Sequence, residues 1–190
     1  MSAFEHVISL LSFVYALAIA HLLSTVARLI GARERVRFSW IHAFWMLNAL
    51  IVLVVNWISW WDVHSVPSWS VISIFAALTQ SFVDFMQAAL TCPEIPPEGE
   101  IDLVQFHATR ARRYIGAFAL MTIVAFFNNL YFGGNYNIAD FFTQNLIVAP
   151  LIVVALFATF VRRRWVDIAT PVLLLCLWGY YLSQLQTALK

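Results

Sequence analysis

Charged side chains, and lysine in particular, are scarce in this chain. Only 11% of the 190 residues are charged, and ten of the eleven basic residues are arginine, with Lys190 as the single lysine. A retinal protein needs a lysine within the membrane to form its Schiff base, so that class is excluded. The net charge of +1 leaves no extended basic face, which argues against nucleic acid as a partner.

Cysteine and the signatures of intramembrane enzymes are also scarce or missing. The two cysteines, Cys92 and Cys176, lie in different segments without CxxC spacing, which predicts neither a structural disulfide nor a zinc site. The sequence contains no GxSG nucleophile motif and no HExxH zinc-protease motif. We therefore expect a protein that is not an enzyme, with no catalytic residues, no metal and no cofactor.

Apolar residues dominate what remains. The chain is 62% hydrophobic and 16% aromatic, which is more apolar surface than a soluble domain of this size can hide in one core. The bilayer must therefore act as solvent for part of it. This composition predicts an all-α, polytopic membrane protein that forms a single domain over residues 1–190.

Six windows are apolar over the length of about 20 residues that a membrane crossing requires. They lie at about 4–30, 39–60, 70–91, 112–132, 138–161 and 165–187. Arginine occurs in the first, third and fifth connections and is absent from the second and fourth. The positive-inside rule then predicts six transmembrane helices with both termini outside, in a bacterial-type inner (plasma) membrane with the Arg-rich loops cytoplasmic.

The third connection, at 92–111, is the longest polar segment. It begins with three prolines and three glutamates that end the preceding helix, and a second helical pattern follows from Ile101 to Tyr114. We expect a cytoplasmic elbow whose helix continues into the fourth span. A docking surface for a partner or an anionic lipid is the alternative interpretation.

Asp84 is an ionisable residue near the middle of the third span. An acid at that depth is costly and needs a partner or a water-filled cavity. At helical spacing it belongs to a stripe of small or polar residues on one helix face. The stripe consists of Ser73, Ala77, Gln80, Asp84, Gln87 and Thr91.

A second polar stripe runs along the first span, with His21, Ser24 and Thr25 at its centre. His21 and Asp84 each lie about 6 Å to the same side of the midpoint of their spans, from the helical rise of 1.5 Å per residue. Asn48 of the second span is within about one turn of that depth. We therefore predict a buried network of His21, Asp84, Asn48, Gln80 and Gln87, with Ser24 and Thr25 lining the path.

A His–Asp pair in a medium of low dielectric constant can hold or pass a proton near neutral pH. The pattern favours a small transporter or channel that conducts protons or is coupled to them. Amides at Asn128, Asn129, Gln144 and Asn145 are expected to extend the polar path outward. The alternative is a non-catalytic accessory or ligand-sensing subunit of a larger membrane complex, in which the same network joins helices by hydrogen bonds.

Two further expectations concern haem and partners. Membrane cytochromes hold haem between histidines on facing helices, and His21 with His42 is the one pair at roughly similar depth, so a b-type haem site is a lesser alternative. Six short helices make a thin bundle. Besides the lipid bilayer, we therefore expect a homo-oligomer or a partner membrane subunit.

Overall fold

The computed structural model describes residues 3–64, 66, 68–132, 145–146, 148–161 and 163–188. The described chain is all-helical apart from two very short strands. The helices are α1 (Ala3–Gly31), α2 (Trp40–Ser59), α3 (Val71–Thr91), α4 (Leu103–Phe132), α5 (Val148–Phe160) and α6 (Arg164–Ala188). Short 3-10 helices occupy Arg33–Arg35 and Trp60–Val63, and the strands are β1 (Val36–Arg37) and β2 (Ile101–Asp102).

Five of these helices, α1 to α4 and α6, are long and apolar enough to cross a membrane. This confirms the prediction of an all-helical protein with apolar helices of the length that a membrane crossing requires. Helix α5 has 13 residues and is shorter, while residues 138–144 and 147 of the fifth predicted span lie outside the described residues. The sixth crossing and the orientation of the termini stay predictions.

Serine or aspartate caps three of the helices. Ser39 accepts a hydrogen bond from the His42 backbone N–H, and Ser70 does the same for Ser73. The backbone N–H of Gln105 donates to Asp102 Oδ1 over 2.8 Å at the start of α4. These side chains satisfy backbone donors that a helix start leaves without a partner. Helix α4 begins at Leu103, within the predicted elbow at 92–111, and continues without a break to Phe132.

The outer surface of the bundle is apolar, as expected when lipid surrounds it. Phe13, Phe75 and Phe82 are each more than half exposed, whereas the polar residues of α3 face inward. Helix α3 is central, because it packs against α1, α2 and α4; α6 packs on α2, and α5 on α4. The position of α3 brings its polar stripe into the interior.

The two ends of the bundle differ in composition. The tryptophan end is where α2 gives way to the 3-10 helix Trp60–Val63 and where α3 begins. The arginine end holds the connections from α1 to α2 and from α3 to α4. There β1 pairs in parallel with β2, with Val36 opposite Ile101 and Arg37 opposite Asp102.

Candidate functional site

Asp84 is fully buried and accepts three hydrogen bonds from neutral side chains. The Tyr15 hydroxyl of α1 donates to Asp84 Oδ2 over 2.6 Å. Asn56 Nδ2 of α2 donates to Oδ1 over 3.0 Å, and Gln80 Nε2 of α3 donates to the same oxygen over 2.8 Å. In the described part of the chain no ion pair involves Asp84. The carboxylate is therefore held by dipoles alone.

Two of these donors are themselves supported by a second donor. The Trp60 indole N–H donates to the Tyr15 hydroxyl oxygen over 3.1 Å. Asn128 Nδ2 of α4 donates to Gln80 Oε1 over 3.4 Å. In both chains, Trp60–Tyr15–Asp84 and Asn128–Gln80–Asp84, every N–H or O–H donor points toward Asp84. Hydrogen bonds aligned in this way strengthen one another in a low-dielectric interior. The arrangement suits a negative charge at the carboxylate.

The pattern of α3 explains why these groups meet. All six residues of its polar stripe are buried, from Ser73 at the tryptophan end to Thr91 at the arginine end. The opposite face presents Ile72, Phe75 and Met86 outward, each more than half exposed. A helix with its polar face inward and its apolar face outward is what a lipid environment favours.

A cavity of about 80 Å³ lies beside Asp84 toward the tryptophan end. Its polar lining consists of Asn56, Ser59, Trp60, Gln80, Asn128 and Asn129. Because a water occupies about 30 Å³ in the liquid, two or three waters fit. Asn56 and Gln80 both line this cavity and bond to Asp84, so a single side chain separates the carboxylate from the cavity.

Buried polar groups continue from Asp84 toward the arginine end. Gln87 and Thr91 are fully buried, and Gln87 Nε2 donates to Thr91 Oγ1 over 3.3 Å. Gln87 Oε1 is buried without a hydrogen-bond partner in the described part of the chain. Thr25 of α1 is also buried, and its hydroxyl bonds to the His21 carbonyl over 2.9 Å. A dry interior rarely leaves an amide oxygen unsatisfied, which marks Gln87 as a site for water or for side-chain movement.

The predicted pairing of His21 with Asp84 is wrong. His21 is exposed, its ring packs 6.4 Å from that of Phe85, and no described hydrogen bond or ion pair joins it to Asp84. The buried face of α1 runs through Leu11, Tyr15, Ala18, Leu22 and Thr25. At 100° per residue, His21 lies about 80° from the centre of that face. Ser24 lies further round and is also exposed, so Thr25 alone of the predicted α1 stripe is inside.

Asn48 is buried as predicted but faces another helix. Its Nδ2 donates to the Phe44 carbonyl over 2.8 Å and to the Pro171 carbonyl of α6 over 3.1 Å. Gln87 bonds to Thr91 and not to Asp84. Of the residues predicted to surround Asp84, Gln80 is the one with a described hydrogen bond to it.

Four contributors to the site were not predicted as its members: Tyr15, Asn56, Trp60 and Asn128. Tyr15 and Trp60 count as apolar in a hydropathy pattern, although each carries a polar group that seeks a partner when buried. Asn128 was predicted to extend the polar path, and it does contact Gln80. Asn129 donates to Asn145 over 3.2 Å, whereas Gln144 lies outside the described residues.

The histidines proposed as haem ligands do not face each other. His42 is fully buried, with its ring 5.0 Å from that of Phe106 and 6.0 Å from that of Tyr114, both on α4. His21 is exposed and its ring contacts α3. Two ligands to one iron must converge on a common space, so this pair does not form the predicted site.

Comparison of the chain with protein families, with curated proteins and with solved structures finds no match in any of the three. The chemistry of its own residues is therefore the basis for assigning a function. The buried carboxylate, its neutral donors and the adjoining cavity are the features from which that function is inferred.

Proposed function

We propose that this protein is a small transporter or channel that conducts protons, or is coupled to them, through Asp84. The observation that carries the proposal is a buried carboxylate held by neutral donors from three helices beside a polar cavity. Ionisable residues at such positions in membrane proteins commonly belong to ion or proton pathways. In this proposal the membrane is a bacterial-type inner membrane, with the arginine end cytoplasmic.

Proton exchange at Asp84 requires one of its hydrogen-bond donors to move away from the carboxylate. A hydronium ion in the cavity transfers its proton to Oδ1, forming a neutral carboxylic acid and leaving a water molecule. Oδ1 accepts from both Asn56 and Gln80, and either amide can turn toward the cavity that it already lines. Tyr15 continues to donate to Oδ2, which keeps the acid in place during the exchange.

The inner half of the path uses Gln87, Thr91 and Thr25. These side chains lie on the buried faces of α3 and α1 between Asp84 and the arginine end. Gln87 is one turn from Asp84, and its unpaired Oε1 is the nearest available acceptor along α3. Close packing at Gln87 and Thr91, both fully buried, favours a gated path over a permanently open pore.

The second candidate is a non-catalytic accessory or ligand-sensing subunit. It is supported by the fact that Asp84 joins α3 to α1 and to α2 through the hydrogen bonds from Tyr15 and Asn56. Interhelical bonds of this kind contribute about 1 kcal/mol each in membranes. In that case the network holds helices together and moves no proton.

Proton flux into liposomes driven by a pH gradient separates the two candidates. The wild type is compared with Asp84→Asn, and with His21→Ala as a matched change of an exposed ionisable residue on α1. The proposal expects flux in the wild type and in His21→Ala, and none above empty liposomes in a folded Asp84→Asn protein. Absence of flux in all three, with loss of thermal stability in Asp84→Asn, would favour the accessory subunit.

A further inference from the structure

Three arginines surround two adjoining cavities at the arginine end, outside the network of Asp84. The first cavity, of about 420 Å³, is lined by Arg28, Arg35 and the Ile95–Pro97 backbone segment. The second, of about 450 Å³, is lined by Arg33, Arg35 and Glu34. Gly31 and Ala32 line both, so the two form one continuous depression at the end of α1.

The arginines of the first cavity are held in position by the elbow. Arg28 Nη2 donates to the Ile95 carbonyl over 3.0 Å, and Arg35 Nη1 donates to the Gly99 carbonyl over 2.9 Å. Each guanidinium has five N–H donors, so most of its donors are not used by these bonds. A pre-organised guanidinium loses less entropy when it binds an oxyanion.

The charges that line the depression favour an anion. Arg28, Arg33 and Arg35 contribute three positive charges against the single carboxylate of Glu34. The exposed carbonyls at the end of α1 add about half a negative charge, which does not cancel that excess. Asp102, another acid at this end, is paired with Arg37 over 2.9 Å, and Asp167 Oδ1 lies 3.9 Å from His107 Nε2. The elbow acids Glu94, Glu98 and Glu100 line neither cavity.

Apolar and aromatic residues place the depression at the level of lipid headgroups. Ile30, which lines the second cavity, is 65% exposed, so this side of α1 faces lipid. Nearby, Phe38 and Trp40 are exposed and stack edge to face with ring centroids 4.8 Å apart. Aromatic residues of this kind mark the boundary between hydrocarbon and headgroups.

We infer that the depression formed by Arg28, Gly31, Arg33 and Arg35 binds a phosphate group, and that the headgroup of an anionic phospholipid supplies it. Guanidinium groups bind phosphate through paired N–H bonds, and basic pockets at the ends of membrane helices suit anionic headgroups. The depression opens beside the lipid-facing side of α1, which favours a lipid over a soluble phosphate. The inference does not depend on proton transport.

Gly31 offers a test that leaves every charge in place. A Cβ built on Gly31 meets no atom within 4 Å, and its φ is outside the left-handed region, so Gly31→Phe fills the depression without backbone strain. Arg33→Gln removes one lining charge. Arg113→Gln removes an exposed charge from α4 at the same end and serves as the matched control.

Native mass spectrometry of the full chain in neutral detergent measures binding of three probes: short-chain phosphatidylglycerol, short-chain phosphatidylcholine and glycerol 3-phosphate. We expect tight binding of phosphatidylglycerol alone, weakened about tenfold by Gly31→Phe and by Arg33→Gln, a difference of about 1.4 kcal/mol. Arg113→Gln should match the wild type. Binding of glycerol 3-phosphate as tight as that of phosphatidylglycerol would support the phosphate site but assign it a soluble ligand. Equal binding of phosphatidylcholine, or undiminished phosphatidylglycerol binding by Gly31→Phe, would overturn the inference.

Discussion

The Tyr15 hydroxyl lies 2.6 Å from Asp84 Oδ2, joining α1 to α3 in the interior of the bundle. This separation is in the range of about 2.5–2.7 Å found for a hydroxyl that donates to a carboxylate. Tyr15 is only 1% exposed, so water does not compete for the bond. The hydrogen bond from Tyr15 to Asp84 therefore has two roles: it holds α1 against α3, and it stabilises a negative charge on Asp84.

Tyr15→Phe should lower stability while leaving the fold intact. It removes one donor to Asp84 and the acceptor of the Trp60 indole, so two buried groups lose a partner. We expect a loss of about 1–3 kcal/mol, measured by thermal or denaturant unfolding in detergent. Tyr180→Phe, which removes a hydroxyl from a half-exposed position on α6, is the control and should match the wild type. Equal stability of the two variants would contradict the expectation.

Ala125→Leu should reduce proton flux by filling the cavity. Ala125 of α4 lines that cavity and has no polar atom in its side chain, so the Asp84 network stays chemically unchanged. Overpacking costs about 1–3 kcal/mol, which unfolding measurements would report separately from flux. Ala125→Ser keeps the cavity nearly its present size and should conduct like the wild type. Undiminished flux in a folded Ala125→Leu protein would place the proton entry elsewhere.

Gln87→Leu should lower proton flux while leaving the stability of the protein nearly unchanged. The substitution removes a buried amide whose Oε1 has no partner and whose Nε2 makes one bond of 3.3 Å. Replacing an incompletely satisfied polar group with an apolar one of similar size is near neutral for stability. Flux should nevertheless fall, because the inner half of the path loses its first acceptor. Thr79→Val, on the exposed side of α3, is the control and should retain flux.

His21→Ala should keep most of the flux of the wild type. His21 is exposed on α1 and makes no described contact with Asp84. Its imidazole is therefore not required for proton transfer along the proposed path. Flux assays that compare His21→Ala with the wild type at several pH values would detect a contribution. Loss of flux comparable to that of Asp84→Asn would restore the histidine–aspartate relay.

The stability of the arginine end should fall in acid because of Asp102. The backbone N–H of Gln105 and the guanidinium of Arg37 both hold the pKa of Asp102 below its ordinary value. A depressed folded-state pKa stabilises the fold above the unfolded value of about 3.9, and the contribution is lost as pH falls through the lower folded value. Asp102→Asn, which keeps a capping side chain, should show a shallower decline in unfolding temperature between about pH 5 and pH 2. Glu98→Gln, an exposed acid of the same elbow, should keep the wild-type slope.

Five of the six predicted spans and the polar face of α3 could be predicted because both depend on local periodicity. A run of apolar residues and a polar residue at every third or fourth position are both features of a single helix. Lipid thickness sets the length of the apolar run, and helical geometry sets the spacing of the stripe. The inward direction of the stripe through Gln80, Asp84 and Gln87 followed from the cost of exposing polar groups to lipid.

The partners of Asp84 could not be predicted because they depend on the rotation of each helix about its own axis. His21 and Tyr15 are six residues apart on α1, and packing of Leu11, Ala18 and Leu22 decides that Tyr15 faces inward. Depth along the membrane, which sequence does provide, cannot distinguish the two faces. A hydropathy pattern counts tyrosine and tryptophan as apolar, so it does not reveal the hydrogen-bonding groups of Tyr15 and Trp60. The pairing of β1 with β2, two residues each, has no periodic signal at all.

That strand pairing has a mechanical consequence. It connects the segment between α1 and α2 to the segment between α3 and α4 through backbone bonds, independently of the side chains inside the bundle. The chain itself joins the same two helical hairpins at the tryptophan end, where α2 leads through the 3-10 helix Trp60–Val63 to α3. The two hairpins are therefore connected at both ends of the bundle, and the hydrogen bonds from Tyr15 and Asn56 to Asp84 lie between these two connections.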